Sequence, residues 1–270
     1  MPFFSHDGIQ FHYREGGSGL PFIFQHGLGG DVSQPFGLFA PSGGVRLLAF
    51  DCRAHGQSRP VGDPEKISLA TFAEDLSVFL DHLQIERAVV GGISMGAAVA
   101  LNVGLRFPKR VLGLVLSRPA WLAGPRESNV DLFGKVAQFI RRHGPVRGAE
   151  VFQRTIEFTN LRREFPDMAR SLLGQFQEPR AAEAVVRLER IPRDRPCRDL
   201  QELKAIRVPT LVLANRDDPV HPFEYGEALT ATIPGAELRE ITAKSLSAER
   251  HGADVQRFIG EFLGRNHFRR

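Results

Sequence analysis

Gly92-Ile93-Ser94-Met95-Gly96 is the stretch on which the reading of this chain turns. Just before it, Arg87 to Gly91 (RAVVG) is apolar and β-branched. Just after it, Gly96 to Leu105 (GAAVALNVGL) is rich in Ala and Leu and has a helical rhythm. G-x-S-x-G at a strand-to-helix handover is the pattern of a nucleophile elbow, a sharp turn that holds a serine oxygen up at the C-terminal edge of a sheet. Such a turn needs small neighbours, and Gly92 and Gly96 remove the Cβ atoms that would clash across it. Without the flanking strand and helix the same five residues would be no more than a Gly-rich turn.

Strand and helix patterns alternate on both sides of the elbow. Ile9 to Glu15 alternates apolar and polar residues, as an edge or hairpin strand does. Pro21 to Gln25 (PFIFQ), Val45 to Phe50 (VRLLAF), Val111 to Leu116 (VLGLVL) and Thr210 to Ala214 (TLVLA) are continuous apolar runs of the kind buried parallel strands require. Glu237 to Ile241 is the last strand. Ser68 to Leu83 carries Leu69, Phe72, Leu76, Phe79, Leu80 and Leu83 on one helical stripe, with Ser68 as its N-cap. Ala248 to Leu263 predicts a closing helix. The alternation predicts an α/β domain with a mostly parallel sheet covered on both faces. Trp121 to Arg198 has a different texture, rich in Arg, Phe and Glu and without β-type runs. It reads as a helical cap over 121–198, inserted between two strands of a core formed by 1–120 and 199–270.

Composition narrows the function classes. A chain of 270 residues with 42% hydrophobic content can bury a large core. No apolar run approaches eighteen residues, and MPFFSHDG is not a secretory leader. Cys52 and Cys197 do not make a disulfide framework and suit a reducing cytoplasm, with Cys52 expected in the core. The net charge of +4 comes mostly from Arg, concentrated in Arg141 to Arg147 and Arg187 to Arg198. Neither stretch carries a nucleic-acid motif, so a solvated surface is expected, with no nucleic-acid or membrane partner. The expected partner is a small-molecule substrate, and the sequence leaves the choice between monomer and homo-oligomer open.

A nucleophile at the elbow needs an oxyanion hole, a base and an acid that orients the base. The residue after the nucleophile, Met95, offers one backbone N–H. His26-Gly27-Leu28-Gly29-Gly30 follows PFIFQ directly, and its glycines let amides turn towards one point. Leu28 is the expected second donor.

HGLGG at 26–30, DCRAHGQS at Asp51 to Ser58, GISMG at 92–96 and NRDDPVHP at Asn215 to Pro222 occur in the order and spacing of the α/β-hydrolase superfamily, which the chain resembles over nearly its whole length. The resemblance implies the α/β-hydrolase fold with a sheet of about eight strands. It is nearest in pattern to small capped esterases, enol-lactonases and C–C hydrolases, which implies no cofactor and no metal. One glycine of the superfamily's Asp-x-Arg-Gly-x-Gly-x-Ser loop is Ala54 here. The resemblance places the acid in Asp218-Pro219-Val220-His221-Pro222, making Asp218 the expected acid and Asp217 a turn residue.

The base breaks the pattern. The superfamily's histidine lies in the loop after the last strand, where this chain reads Thr242-Ala243-Lys244-Ser245-Leu246-Ser247. The nearest histidine, His251, falls on the inward stripe of the last helix with Val255, Phe258, Ile259 and Phe262. It is read either as the base, reaching Ser94 through a reshaped loop, or as a core histidine. His26 and His55 are expected to support loops, His221 could also approach, and Lys244 would need burial to act as a base. Two functions stay open. One is a serine hydrolase of a small ester, lactone or related acyl compound, with Ser94, His251 and Asp218 as its triad. The other is a non-hydrolytic member of the fold, ligand-binding or lyase- or oxygenase-like, without a complete triad. Serine at the elbow argues against dehalogenase and epoxide-hydrolase chemistry, which in this superfamily use Asp there.

Overall fold

The computed structural model describes residues 2–41, 43–124, 128–265 and 268. Eight strands form one sheet in the order β1-β2-β4-β3-β5-β6-β7-β8. They are β1 Phe3–His6, β2 Ile9–Gly17, β3 Gly19–Gln25, β4 Gly44–Phe50, β5 Ala88–Ile93, β6 Val111–Ser117, β7 Thr210–Ala214 and β8 Glu237–Glu240. From β4 to β8 the neighbours run parallel, while β2 pairs antiparallel with β4 and with β1. This is the α/β-hydrolase architecture expected above. The strand absent from the sequence reading is β1, joined to β2 through Asp7 and Gly8 in left-handed conformations (φ 52° and 74°). Asp-Gly favours that tight hairpin turn.

Helices α1 Ser33–Leu38, α2 Leu69–His82 and α3 Met95–Arg106 follow β3, β4 and β5. Between β6 and β7 the longer described elements are α4 Asp131–Gln153, α5 Ile156–Glu164, α6 Pro166–Gln177 and α7 Val186–Arg190. Helix α4 is broken at Gly144, whose φ of 73° and ψ of 167° are not helical, just before Pro145. Helices α8 Phe223–Thr232 and α9 Ala248–Arg265 complete the chain. Ser68 caps α2 by accepting the Thr71 amide, as its sequence position suggests.

Strand residues alternate between two cores because successive side chains point to opposite faces. Ile23, Leu48, Val90 and Leu114 pack with Phe72, Leu76 and Phe79 of α2 and Val99 and Leu101 of α3. Phe22, Phe24, Leu47, Val89, Val115 and Leu213 pack with Val255, Ile259 and Phe262 of α9. Each such large side chain contributes roughly 1.5–3 kcal/mol by leaving water. The helices over 121–198 are tied to the sheet domain by hydrogen bonds from Asn102 Nδ2 to Pro196 O (2.9 Å) and from Arg187 Nη1 to Ala54 O (2.9 Å). Ala54, at the superfamily's glycine position, is in the left-handed region at φ 60°.

The chain leaves β3 and β5, which are neighbours, at a point where the strand order reverses. A crevice opens outside the C-terminal ends of strands at such a switch point. The loops that follow these two strands are HGLGG and the elbow.

Candidate active site

Ser94 occupies the turn between β5 and α3 with φ 56° and ψ −108°, a strained conformation for a residue with a Cβ. The strain is held by a bond from its N–H to Ser117 O on β6 (2.8 Å) and by close backbone approach on both sides. A Cβ on Gly92 would lie 2.2 Å from the Gly96 carbonyl carbon, and one on Gly96 would lie 2.4 Å from Gln25 O. Only glycine fits either place. The Ser94 side chain faces a cavity of about 440 Å³, also lined by Leu28, Arg118, Trp121, Phe133 and His221.

The partner of Ser94 is His221. Its Nε2 lies 2.9 Å from Ser94 Oγ and its Nδ1 lies 2.9 Å from Asp218 Oδ2. Asp218 and His221 share the short loop between β7 and α8. That loop folds back on itself because Asp218 Oδ1 accepts the amides of Val220 (3.0 Å) and His221 (3.2 Å). Asn129 Nδ2 pins it from outside by donating to Val220 O and Ala120 O. With Nδ1–H donating to Asp218, Nε2 carries the lone pair that accepts the Ser94 hydroxyl proton, the arrangement a general base requires. Asp217 is exposed and turns the chain with φ 57°.

His251 is not where a base would have to be. It lies on α9 within the core, 1% exposed, with Nδ1 hydrogen-bonded to Thr242 O at 2.8 Å and Nε2 without a partner among the described residues. The helix dictates this. Ser247 caps the N-terminus of α9 by accepting the Arg250 amide, so residue 251 is already helical and shares the buried face of Val255 and Ile259. The expected pairing of His251 with Ser94 is therefore corrected to His221 with Ser94.

Electrostatics separate the groups further. Burial pushes the Asp218 carboxyl up, but His221 and Arg118 outweigh it and hold it far below the usual carboxylate range. His221 is pushed down to about 4, first by burial and then by Arg118, against the opposing pull of Asp218. At neutral pH the pair is thus an anion beside a neutral imidazole. Arg118 was not singled out in the sequence. It follows β6 at φ 51°, donates from Nη2 to Asp218 Oδ2 at 2.5 Å and stands 3.0 Å from His221 Nδ1. A charged residue ending the apolar run VLGLVLS was the available signal.

The two expected oxyanion donors flank Ser94. Met95 is the first residue of α3, and Leu28 lines the cavity. Neither N–H has a hydrogen-bond partner among the described residues. The loop carrying Leu28 is fixed by Gly27 N–H donating to Gln34 Oε1 (2.7 Å) and Val32 N–H to Asp51 Oδ1 (2.8 Å). His26 accepts the Cys52 amide at Nε2, and Nδ1 of His55 bonds Arg53 O, so both support loops. Burial lowers both imidazoles below the usual histidine value. Of the aromatic residues in 121–198, Trp121, Phe133 and Phe165 line the cavity, whereas Phe139 meets Phe152 edge-on and Phe158 packs tilted against it in the helical packing. Among the described residues, no cluster of His, Cys, Asp and Glu is arranged to hold a metal, and no helix is long and apolar enough to cross a membrane.

Comparison with known proteins bears on the family and the fold. A family model described as alpha/beta hydrolase fold matches residues 21–246. A Bacillus subtilis AB hydrolase superfamily protein is 28% identical over 235 residues, covering 82% of this chain and 83% of its own. A 3-oxoadipate enol-lactonase of Acinetobacter baylyi is 24% identical over 260 residues, covering 88% and 91%. The solved structure of a thermophilic esterase from Thermogutta terrifontis superposes with a TM-score of 0.72 at 25% identity, covering 96% of this chain and 94% of that one.

Proposed function

Because the chain belongs to the α/β-hydrolase fold family, we propose that it is a serine hydrolase that cleaves small carboxylic esters or lactones through an acyl-enzyme on Ser94. The observation that carries this reading is the unbroken line Ser94 Oγ, His221 Nε2, His221 Nδ1, Asp218 Oδ2, each contact at 2.9 Å. His221 Nε2 takes the Ser94 proton as Oγ attacks the carbonyl carbon. The N–H groups of Leu28 and Met95 receive the oxyanion, where a donor is worth roughly 3 kcal/mol in related sites. The tetrahedral intermediate collapses, and His221 returns the proton to the departing alkoxide. Water then attacks the acyl carbon, His221 accepts its proton, and Ser94 leaves with that proton as the acid is released. Asp218 keeps Nδ1 protonated and stabilises the imidazolium formed in each half-reaction. The helices of 121–198 act as the cap that bounds the acyl site through Trp121 and Phe133.

The test is labelling by a fluorophosphonate probe. Wild-type protein labels at Ser94, His221→Ala does not, and His251→Leu labels like wild type. Loss of labelling in His251→Leu with retention in His221→Ala would sink the assignment.

A further inference from the structure

The guanidinium of Arg118 is under-used. Arginine offers five donors, yet here only Nη2 has partners. Nε is sealed from solvent without an acceptor, and Nη1 has none among the described residues. The sealed Nε lies out of a ligand's reach, so Nη1, which is not sealed, is the donor left for one. Arg118 lines the cavity, and so does Lys244, in the loop after β8. Lys244 has no hydrogen bond or ion pair among the described residues. Partial desolvation and then Arg118 lower its ammonium below the ordinary lysine value, while Asp167 and Asp218 oppose the shift and the residue as a whole is exposed.

The acids of the cavity wall meet these two cations only in part: Asp218 takes Nη2 of Arg118, and Asp167 and Asp218 act on Lys244 through space, without a direct contact among the described residues. Glu164 pairs with Arg163 at 3.1 Å, and Asp167 pairs with Arg170. Asp218 has Arg118 on one oxygen and is bound to His221. Asp217 is exposed at the rim. Within the wall, Lys244 and the outer edge of Arg118 are left facing space that a ligand can fill.

We propose that Arg118 and Lys244 form an anion subsite beside the nucleophile, so that the preferred acyl substrate carries a carboxylate. The proposal rests on the hydrolase reading for turnover, but not for binding. Arg118 and Ser94 both touch His221. They do so at opposite ring nitrogens but line one cavity, so a carboxylate held by Arg118 shares the space into which the carbonyl attacked by Ser94 is bound. It also offsets the guanidinium's field at His221, so the imidazolium forms more readily once such a substrate is bound. The subsite thus contributes to kcat as well as to KM.

Binding is measured in Ser94→Ala, with Trp121, the single tryptophan of the chain and a cavity residue, as the fluorescent reporter. The probes are monomethyl succinate, an ester with a free carboxylate, and the neutral dimethyl succinate. We expect the carboxylate to bind at least about tenfold more tightly, the effect of one charge-assisted hydrogen bond. Adding Lys244→Gln should erode that preference, and adding Arg118→Met should abolish it. Lys244→Gln changes an exposed side chain and keeps the test decisive if Arg118→Met fails to fold. Equal binding of the two esters, or a preference untouched by Lys244→Gln, overturns the subsite. Wild-type protein that binds the monoester selectively but hydrolyses neither would overturn the hydrolase reading and leave the subsite standing.

Discussion

Two buried histidines sit on the loops and helices that follow β7 and β8, and each is pushed down to about 4, chiefly by burial. By titration they are twins; by contacts they are opposites. His221 has a carboxylate on one nitrogen and a hydroxyl on the other. His251 has a single backbone carbonyl, and its second nitrogen has no partner among the described residues. The β7 loop presents its histidine to the cavity because Asp218 folds the loop back over itself. The β8 segment withdraws its histidine because Ser247 starts a helix four residues too early for a loop histidine. A depressed pKa marks burial, and only the second ring nitrogen distinguishes a base from a core residue.

The sharpest way to break this contrast is to remove each ring in turn. His221→Ala should lower kcat for a small p-nitrophenyl ester on the order of 10²–10⁴-fold, the range of a positioned general base. His251→Leu should leave kcat little changed. Asp218→Asn comes next, with a loss of up to roughly 10⁴-fold, because an amide can hold the imidazole in the wrong tautomer. It also leaves Arg118 against His221 without its counter-charge. Steady-state kinetics on the three variants decide, and a larger loss in His251→Leu than in His221→Ala would invert the comparison.

A smaller effect concerns pH. A base must be neutral to work, and a lowered pKa keeps it neutral to lower pH. With His221 at about 4, kcat/KM should hold down through pH 6.5, where an ordinary histidine would already be half-protonated, and fall only near 4. The groups that bear on the ring are Asp218, which raises its pKa, and Arg118 and Lys244, which lower it. Arg118→Met should therefore move the acidic limb of the profile upward. A limb that stays in place would show that Arg118 does not set the value.

How much of this was legible in the sequence depended on whether a residue's role is local. The elbow was legible because Gly92 and Gly96 are demanded by backbone approaches only a few residues apart in chain or across one strand pair. The oxyanion loop was legible for the same reason, and the buried strands because continuous apolar runs leave little choice. The base was not, because the superfamily's spacing directs attention to the loop after β8. The local signal was Asp-x-x-His in DPVH, a spacing that lets a carboxylate accept its own loop's amides and meet the ring three residues on. The role of Arg118 was not legible, although its charge at the end of an apolar run marked the position, because its partners lie 100 and 103 residues further along the chain.

The smallest effect isolates His251 itself. Its folded pKa of about 4 lies below the 6.5 of an unperturbed histidine. Between those values the unfolded chain binds a proton that the folded chain refuses, so stability rises with pH across that window and is lost as pH falls through it. At pH 5 the penalty relative to pH 7 amounts to about 2 kcal/mol at most for this one ring. His251→Leu removes that penalty while keeping an apolar side chain on the buried face of α9. It also leaves Thr242 O without the ring as donor, a cost that does not depend on pH. The variant should thus begin with a Tm at or below that of wild type at pH 7 and lose less of it on going to pH 5. His221 contributes the same sign of dependence in both proteins and cancels in the difference. Equal losses of Tm would mean that His251 is protonated in the folded protein, with its unpartnered Nε2 reaching an acceptor, and the contrast between the two histidines would narrow.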